Sequence, residues 1–207
     1  MFKKVILAAL IVTSAVFAQV NVGARAAFNF GTFWGDAAED VTWGAGFNAG
    51  VNAKILINPM LSFVPGLEVD YRRISNDEGE ITQTISFMYI EAPLLLRIQA
   101  TPQLAIDVGP TVGFNVSASI GASDGDNSAS ADIPSDYVTA VEVGAVAGVS
   151  IAVMPNLEVN VRAAFGFMDM VDMKKMMLGD DEDYYDFVPD IGCKNMRFQA
   201  GVTYWFM

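Results

Sequence analysis

Acidic and basic side chains recur along this chain in positions where they could pair or do acid–base chemistry. Glu68 and Asp70 are two residues apart, so a β-strand would place them on one face. Paired carboxylates can serve as general acid and base, but such neighbours are more simply partners for arginines. The sequence contains no histidine, which removes the usual proton shuttle and the commonest metal ligand. We therefore predict no catalytic residue, no cofactor, no metal site and no enzymatic activity.

Two acidic segments offer clustered oxygen atoms that could hold calcium. The segment Asp124–Ser128 begins like a calcium-binding loop, but Ala129 and Ser135 stand where glycine and a bidentate glutamate are needed. We interpret both segments as solvated loops. The second is predicted to be an external contact surface, and it consists of Asp180, Asp181, Glu182, Asp183, Tyr184, Tyr185 and Asp186.

The elements that would position these groups are two-faced strands. Apolar residues alternate strictly with other residues from Val20 to Phe30 and again from Asn195 to Phe206, which is the period of a β-strand. The same pattern predicts strands near residues 20–30, 42–57, 61–74, 81–100, 104–120, 137–154, 157–170 and 195–206. Short proline-bearing turns alternate with long polar connections at 31–41, 75–80, 121–136 and 171–194. An up-and-down meander is the simplest topology for this arrangement.

Alternation alone fits a soluble barrel with an apolar cavity or a membrane barrel with a polar interior. Three observations favour the membrane barrel: small residues on the polar face, aromatic residues near both strand ends, and alternating loop lengths. Closure would also satisfy every backbone group in hydrocarbon. The predicted fold is therefore an all-β, eight-stranded antiparallel up-and-down transmembrane β-barrel.

In such a barrel the polar face lines the lumen, where charges must pair to offset desolvation. The predicted ionic network of the lumen consists of Arg25, Lys54, Glu68, Asp70, Arg72, Glu91, Arg97, Asp107, Glu142, Glu158, Arg162 and Arg197. Its positive and negative charges cancel. One interpretation is a structural plug of salt bridges, and the other is a gated narrow pore whose network rearranges.

The fourth predicted strand changes phase along its length. Ile85, Phe87 and Tyr89 follow one phase, whereas Ile90, Ala92, Leu94, Leu96 and Ile98 follow the other. A β-bulge within residues 88–90 would reconcile the two halves.

Residues 1–18 combine Lys3 and Lys4 with an apolar run and a small-residue ending at Ala18. This pattern predicts a signal peptide over 1–18 and a barrel domain over 19–207; the apolar run is short for the alternative, a membrane anchor. The formal net charge is −12, which argues against nucleic acid as a partner. Cys193 is the only cysteine, so no internal disulfide forms.

The segment from Phe87 to Arg97, FMYIEAPLLLR, resembles a segment of the bacterial outer-membrane β-barrel domain family that includes PorT-like proteins and small porin-family barrels. The segments at 63–71 and 108–113 are similar to the strands before and after it. The resemblance implies a Gram-negative outer membrane and insertion by the barrel-assembly machinery.

We predict a small closed barrel in the bacterial outer membrane that serves as a structural or interaction component of the cell envelope. Its expected partners are outer-membrane lipid and a protein or polysaccharide at the external loops. The alternative is a small porin-like channel for ions or small solutes, and a membrane enzyme is a third hypothesis.

Overall fold

The computed structural model describes residues 20–34, 43–78, 81–123, 128–170 and 194–206. Within these ranges the chain forms nine strands and one short 3-10 turn at Ser135–Tyr137. The strands are β1 (Val20–Trp34), β2 (Gly44–Asn58), β3 (Leu61–Glu78), β4 (Ile81–Gln99), β5 (Leu104–Ser123), β6 (Ser128–Asp132), β7 (Val141–Met154), β8 (Leu157–Asp169) and β9 (Lys194–Phe206). No helix in these ranges is long and apolar enough to cross a membrane.

Eight long strands close into a ring. Each pairs antiparallel with its neighbours, β5 pairs directly with β7, and β1 meets β9 from Val22 opposite Phe206 to Trp34 opposite Lys194. The short β6 adds only to the outer part of β5. The predicted eight-stranded antiparallel up-and-down barrel is confirmed.

The two faces of the barrel wall are inverted relative to a water-soluble protein. Along β1, Arg25 and Asn29 are buried inside, whereas Val22 and Phe28 are 48% and 72% exposed outside. The same alternation runs along the other long strands, because successive side chains point to opposite sides of a sheet. The barrel therefore presents an apolar exterior and a polar interior.

Aromatic side chains lie on the exterior near both ends of the strands. Phe28, Phe30 and Trp43 are exposed at the end with long connections, and Tyr204 and Phe206 at the end with short turns. Phe47 stacks on Tyr71 with ring centroids 5.3 Å apart. Two such girdles are typical of membrane interfaces.

The connections differ in length as predicted, but strands extend into all four predicted loops, and β1 continues to Trp34 while β9 begins at Lys194. β3 and β4 pair outward as far as Glu78 opposite Ile81, within the predicted loop 75–80. Ser123 pairs with Ser128, so β5 and β6 form a second ribbon within the predicted loop 121–136. The polar composition of these segments predicts loops, but backbone pairing extends the sheet beyond the barrel rim. The segment 171–193 lies outside the described residues.

The predicted irregularity is present opposite β4, but the extra residue belongs to β5. Met88 faces Ser117 and Tyr89 faces Asn115, which leaves Val116 without a counterpart. The side chains of β4 alternate between the inside and the outside of the barrel without a break, and Phe87 and Tyr89 both point inward. The prediction of a phase change in β4 was therefore wrong. The change occurs in β5, where Ser117 turns outward after the bulge.

Gly23 of β1 provides the space for a large side chain of β9. A Cβ atom at Gly23 would lie 2.7 Å from Cε3 of Trp205, which is closer than carbon atoms pack. Trp205 is only 4% exposed and points into the barrel. The glycine thus allows an indole to fill the interior at this level.

Candidate functional site

The charged residues predicted to line the lumen lie inside the barrel. All twelve except Lys54 are buried, and the Lys54 side chain is 22% exposed. Because side chains fill the interior of an eight-stranded barrel, these groups contact one another across it. They form three layers, which we call the external, central and periplasmic clusters.

The external cluster surrounds Arg72. Its guanidinium lies 2.8 Å from Asp70 and 2.6 Å from Glu142, and it also donates to Glu91. Arg197 contacts Glu91 and lies 3.3 Å from Asp70. These residues come from β3, β4, β7 and β9, so the ion pairs cross the full width of the lumen.

The central cluster surrounds Arg25. Its guanidinium lies 3.0 Å from Glu68, and Arg162 approaches the other oxygen of the same carboxylate at 3.4 Å. The remaining donors of Arg25 are taken up by neutral side chains. They bond to Asn48 at 2.6 Å, Asn160 at 3.0 Å and Gln199 at 3.1 Å. The buried guanidinium thus has a partner on each of its nitrogen atoms.

The periplasmic cluster lies near the short turns. Arg97 makes a two-point contact with Asp107, at 2.7 and 2.9 Å, and a third bond to Glu158 at 2.7 Å. Two-point arginine–carboxylate pairs are the strong, directional form of this interaction. Lys54 lies 3.6 Å from Glu158, and its ammonium group is 4.5 Å from the centre of the Trp205 ring.

Apolar side chains fill the lumen on the external side of the charged clusters. Phe87 and Tyr89 are 1% and 0% exposed, and they pack with Ile74, Ala118, Val138 and Met170. The Arg72 guanidinium lies over the Tyr89 ring, 4.1 Å from its centre. A second apolar cluster, comprising Val64, Leu95, Val146, Ala164 and Trp205, lies beside the periplasmic cluster. We call the first of these groups the external apolar layer.

Several members of the network were not assigned from the sequence. Ser150 bonds to both Arg97 and Asp107, and Asn195 donates to Glu142. Asn29 donates to Asp70. These three residues occupy the same inward-facing positions of the strand alternation as the charged residues. That alternation could have identified them from the sequence.

The proposed contact surface at 180–186 lies outside the described residues, as do residues 124–127 of the other acidic segment. Among the residues that the structure does describe, no group of three or more acidic or cysteine side chains is placed to hold a metal ion.

A closed antiparallel sheet with an apolar exterior, aromatic girdles and an ionic interior defines a small transmembrane β-barrel of the outer-membrane type. The chain belongs to the family described as "Outer membrane protein beta-barrel domain", whose profile matches residues 17–172. The predicted family and the outer-membrane location are confirmed at this level, and the PorT-like subgroup stays a prediction. No relative among curated protein sequences matches the chain.

Solved structures of Ail share the fold at low sequence identity. The chain is similar to Ail, the attachment invasion locus protein of Yersinia pestis, with 12% identity, a TM-score of 0.51, and 91% and 99% of the two chains covered. Ail in complex with the heparin analogue sucrose octasulfate gives a TM-score of 0.54 at 12% identity and the same coverage. Neisserial surface protein A gives 0.49 at 17% identity, over 91% and 97% of the chains.

Proposed function

We propose that this protein is a sealed outer-membrane barrel that holds its external loops in place as an interaction component of the cell envelope, without enzymatic activity. The observation that carries the proposal is the filling of the lumen. Three layers of ion pairs cross it, and the external apolar layer lies above them. A solute would have to displace buried, hydrogen-bonded charges and then tightly packed aromatic rings, which is costly in a low-dielectric interior.

The alternative of a small porin-like channel requires a continuous aqueous path. Large porins enclose water because they have more strands, whereas the interior of an eight-stranded barrel is narrow enough for side chains to fill. Tyr89 and Phe87 lie inside the lumen between the external cluster and the external mouth of the barrel, so a solute that enters there would meet them first. These contacts favour the sealed barrel over the channel.

We expect the refolded protein to produce no defined single-channel steps in planar bilayers, because its lumen is filled. Insertion should be verified on the same sample by heat-modifiable gel migration, which reports the folded barrel. A variant with Phe87→Ala and Tyr89→Ala serves as the matched control. It should also produce no single-channel steps, since the residues of the three ionic clusters are unchanged. Reproducible unitary steps from the unmodified protein would contradict the sealed lumen and support the channel.

The external loops are then the surface available for a partner, because loops vary freely on a rigid scaffold. The interior charges cancel, so the formal net charge of −12 resides outside the lumen. Five acidic residues fall within 180–186. A partner would therefore be basic, or a polysaccharide bridged through divalent ions. Direct binding of a sulfated glycan, of the kind present in one Ail structure, to residues 180–186 would be opposed by the acidic charge of that segment.

Neutralising this segment should weaken binding of a cationic probe. We expect a variant with Asp180, Asp181, Asp183 and Asp186 changed to Asn, and Glu182 to Gln, to bind immobilised polylysine about tenfold more weakly at low salt. Asp132→Asn with Asp136→Asn is the control, because both residues are exposed on another external segment. The test variant removes five charges and the control removes two. An equal loss of binding free energy per charge removed would mean that binding follows net charge and that residues 180–186 are not a distinct contact surface.

A further inference from the structure

The outer face of β3, β4, β5 and β6 changes abruptly from apolar to hydroxyl-bearing residues above the barrel. Arg73 pairs with Ser86, and Ser86 pairs with Ser119, across β3, β4 and β5. Further out, Thr82, Ser123 and Ser128 are aligned in the same way across β4, β5 and β6. We call these six residues the hydroxyl face. They line a shallow cavity of ≈ 270 Å³.

The hydroxyl face continues directly from the lipid-facing surface. Two residues before Arg73 on the same face is Tyr71, which stacks on Phe47. On β5, Phe114 and the bulged residue Val116 are 51% and 56% exposed. A spanning strand needs about 9–11 residues, and β3 begins at Leu61. Arg73 therefore lies just beyond the hydrocarbon, facing sideways into the headgroup layer of the external leaflet.

The chemistry of this face matches a phosphorylated sugar. Arg73 is exposed and forms no ion pair with any other residue in the described part of the chain. Guanidinium groups bind phosphate through paired hydrogen bonds, and serine and threonine hydroxyls both donate and accept, as sugar hydroxyls do. The row from Arg73 to Ser119 covers two strand spacings, about 10 Å. A protein partner would be expected to need apolar or aromatic anchors, which the six residues do not supply.

We propose that the hydroxyl face binds the phosphorylated-sugar headgroup of an external-leaflet glycolipid of the lipid A type. Asp132 pairs with Ser119 at the far side of the same row. Its carboxylate would repel a phosphate there, so the phosphate lies at Arg73 and the sugar extends over the serines. The acyl chains of the lipid then continue down the apolar surface beside Tyr71. This proposal depends on the outer-membrane location of the family and not on whether the lumen is sealed.

Native mass spectrometry of the detergent-refolded full chain tests the site. The probes are diphosphorylated lipid A, its dephosphorylated form and phosphatidylglycerol. We expect diphosphorylated lipid A to be retained best, and Arg73→Gln to weaken its retention about tenfold. A double variant with Ser86→Ala and Ser119→Ala should weaken retention of both forms of lipid A, since it removes contacts to the sugar.

Lys194→Gln is the matched control. Lys194 is another cation at the external end, but it lies on β9 with its ammonium group 5.3 Å from the centre of the Trp34 ring. Its substitution should leave lipid A retention unchanged. Equal retention by the unmodified protein and Arg73→Gln would overturn the proposal. So would retention of phosphatidylglycerol as strong as that of lipid A, because the hydroxyl rows would then contribute nothing.

Discussion

Replacing Arg72 with methionine should lower the free energy of unfolding of the refolded barrel by about 3–5 kcal/mol, the range found when one partner of a buried ion pair is removed. Arg72 contacts Asp70, Glu91 and Glu142, and all four side chains are buried. Without it, three carboxylates share Arg197 as the remaining cation of the external cluster. Urea unfolding in phosphatidylcholine vesicles, followed by tryptophan fluorescence and gel migration, measures the loss.

The adjacent residue provides a matched control for this substitution. Arg73 is on the same strand but points outward and is exposed. In vesicles without glycolipid, Arg73→Met should change the free energy of unfolding by no more than about 0.5 kcal/mol, as surface substitutions usually do. If the two variants lost equal stability, the side chain of Arg72 could not lie in a paired interior.

Placing an arginine on the exterior at mid-depth should also be strongly destabilising. Val161 is 55% exposed and lies between Val149 on β7 and Ala200 on β9. In water such a substitution would be nearly neutral, but at the bilayer midplane an arginine costs about 2–4 kcal/mol. We expect Val161→Arg to lose stability by this amount in the same unfolding assay.

Depth in the membrane supplies the control for Val161→Arg. Val153 is similarly exposed, at 52%, but lies at the end of β7 beside the short turn. Val153→Arg should cost only about 0–1 kcal/mol, because the side chain reaches the interface. Equal effects at the two positions would indicate that the exterior has no depth-dependent apolar layer.

Much of the barrel could be predicted from alternation alone. The strict period of β1 and β9 predicts which side chains share a face, and the twelve charged residues predicted to line the lumen all follow the inward face of their strands. Their pairing partners could not be predicted, because contacts such as Arg25 with Glu68 depend on the stagger between strands far apart in sequence. The three layers therefore emerge only from the closed structure.

The prediction for β4 was wrong because the apolar character of its side chains does not follow the alternation between its two faces. Phe87 and Tyr89 look like lipid-facing residues, but they point inward because β4 keeps its phase and β5 absorbs the irregularity at Val116. The strand that takes an extra residue is decided by hydrogen-bond register between the two partners, which one strand's sequence does not contain. The same bulge turns Ser117 outward, and the serines beyond it then follow the outward face.

Lipid contacts the valine- and phenylalanine-bearing side of the barrel wall, and charged residues fill the other side. A nitroxide attached to the cysteine of the variant Val161→Cys with Cys193→Ser, refolded into bilayers, reports this arrangement through its rates of collision with two relaxing agents. We expect frequent collision with lipid-soluble oxygen and almost none with a water-soluble nickel chelate. Frequent collision with the chelate and little with oxygen, or a chain that folds in water without any amphiphile, would show that water and not lipid contacts this face.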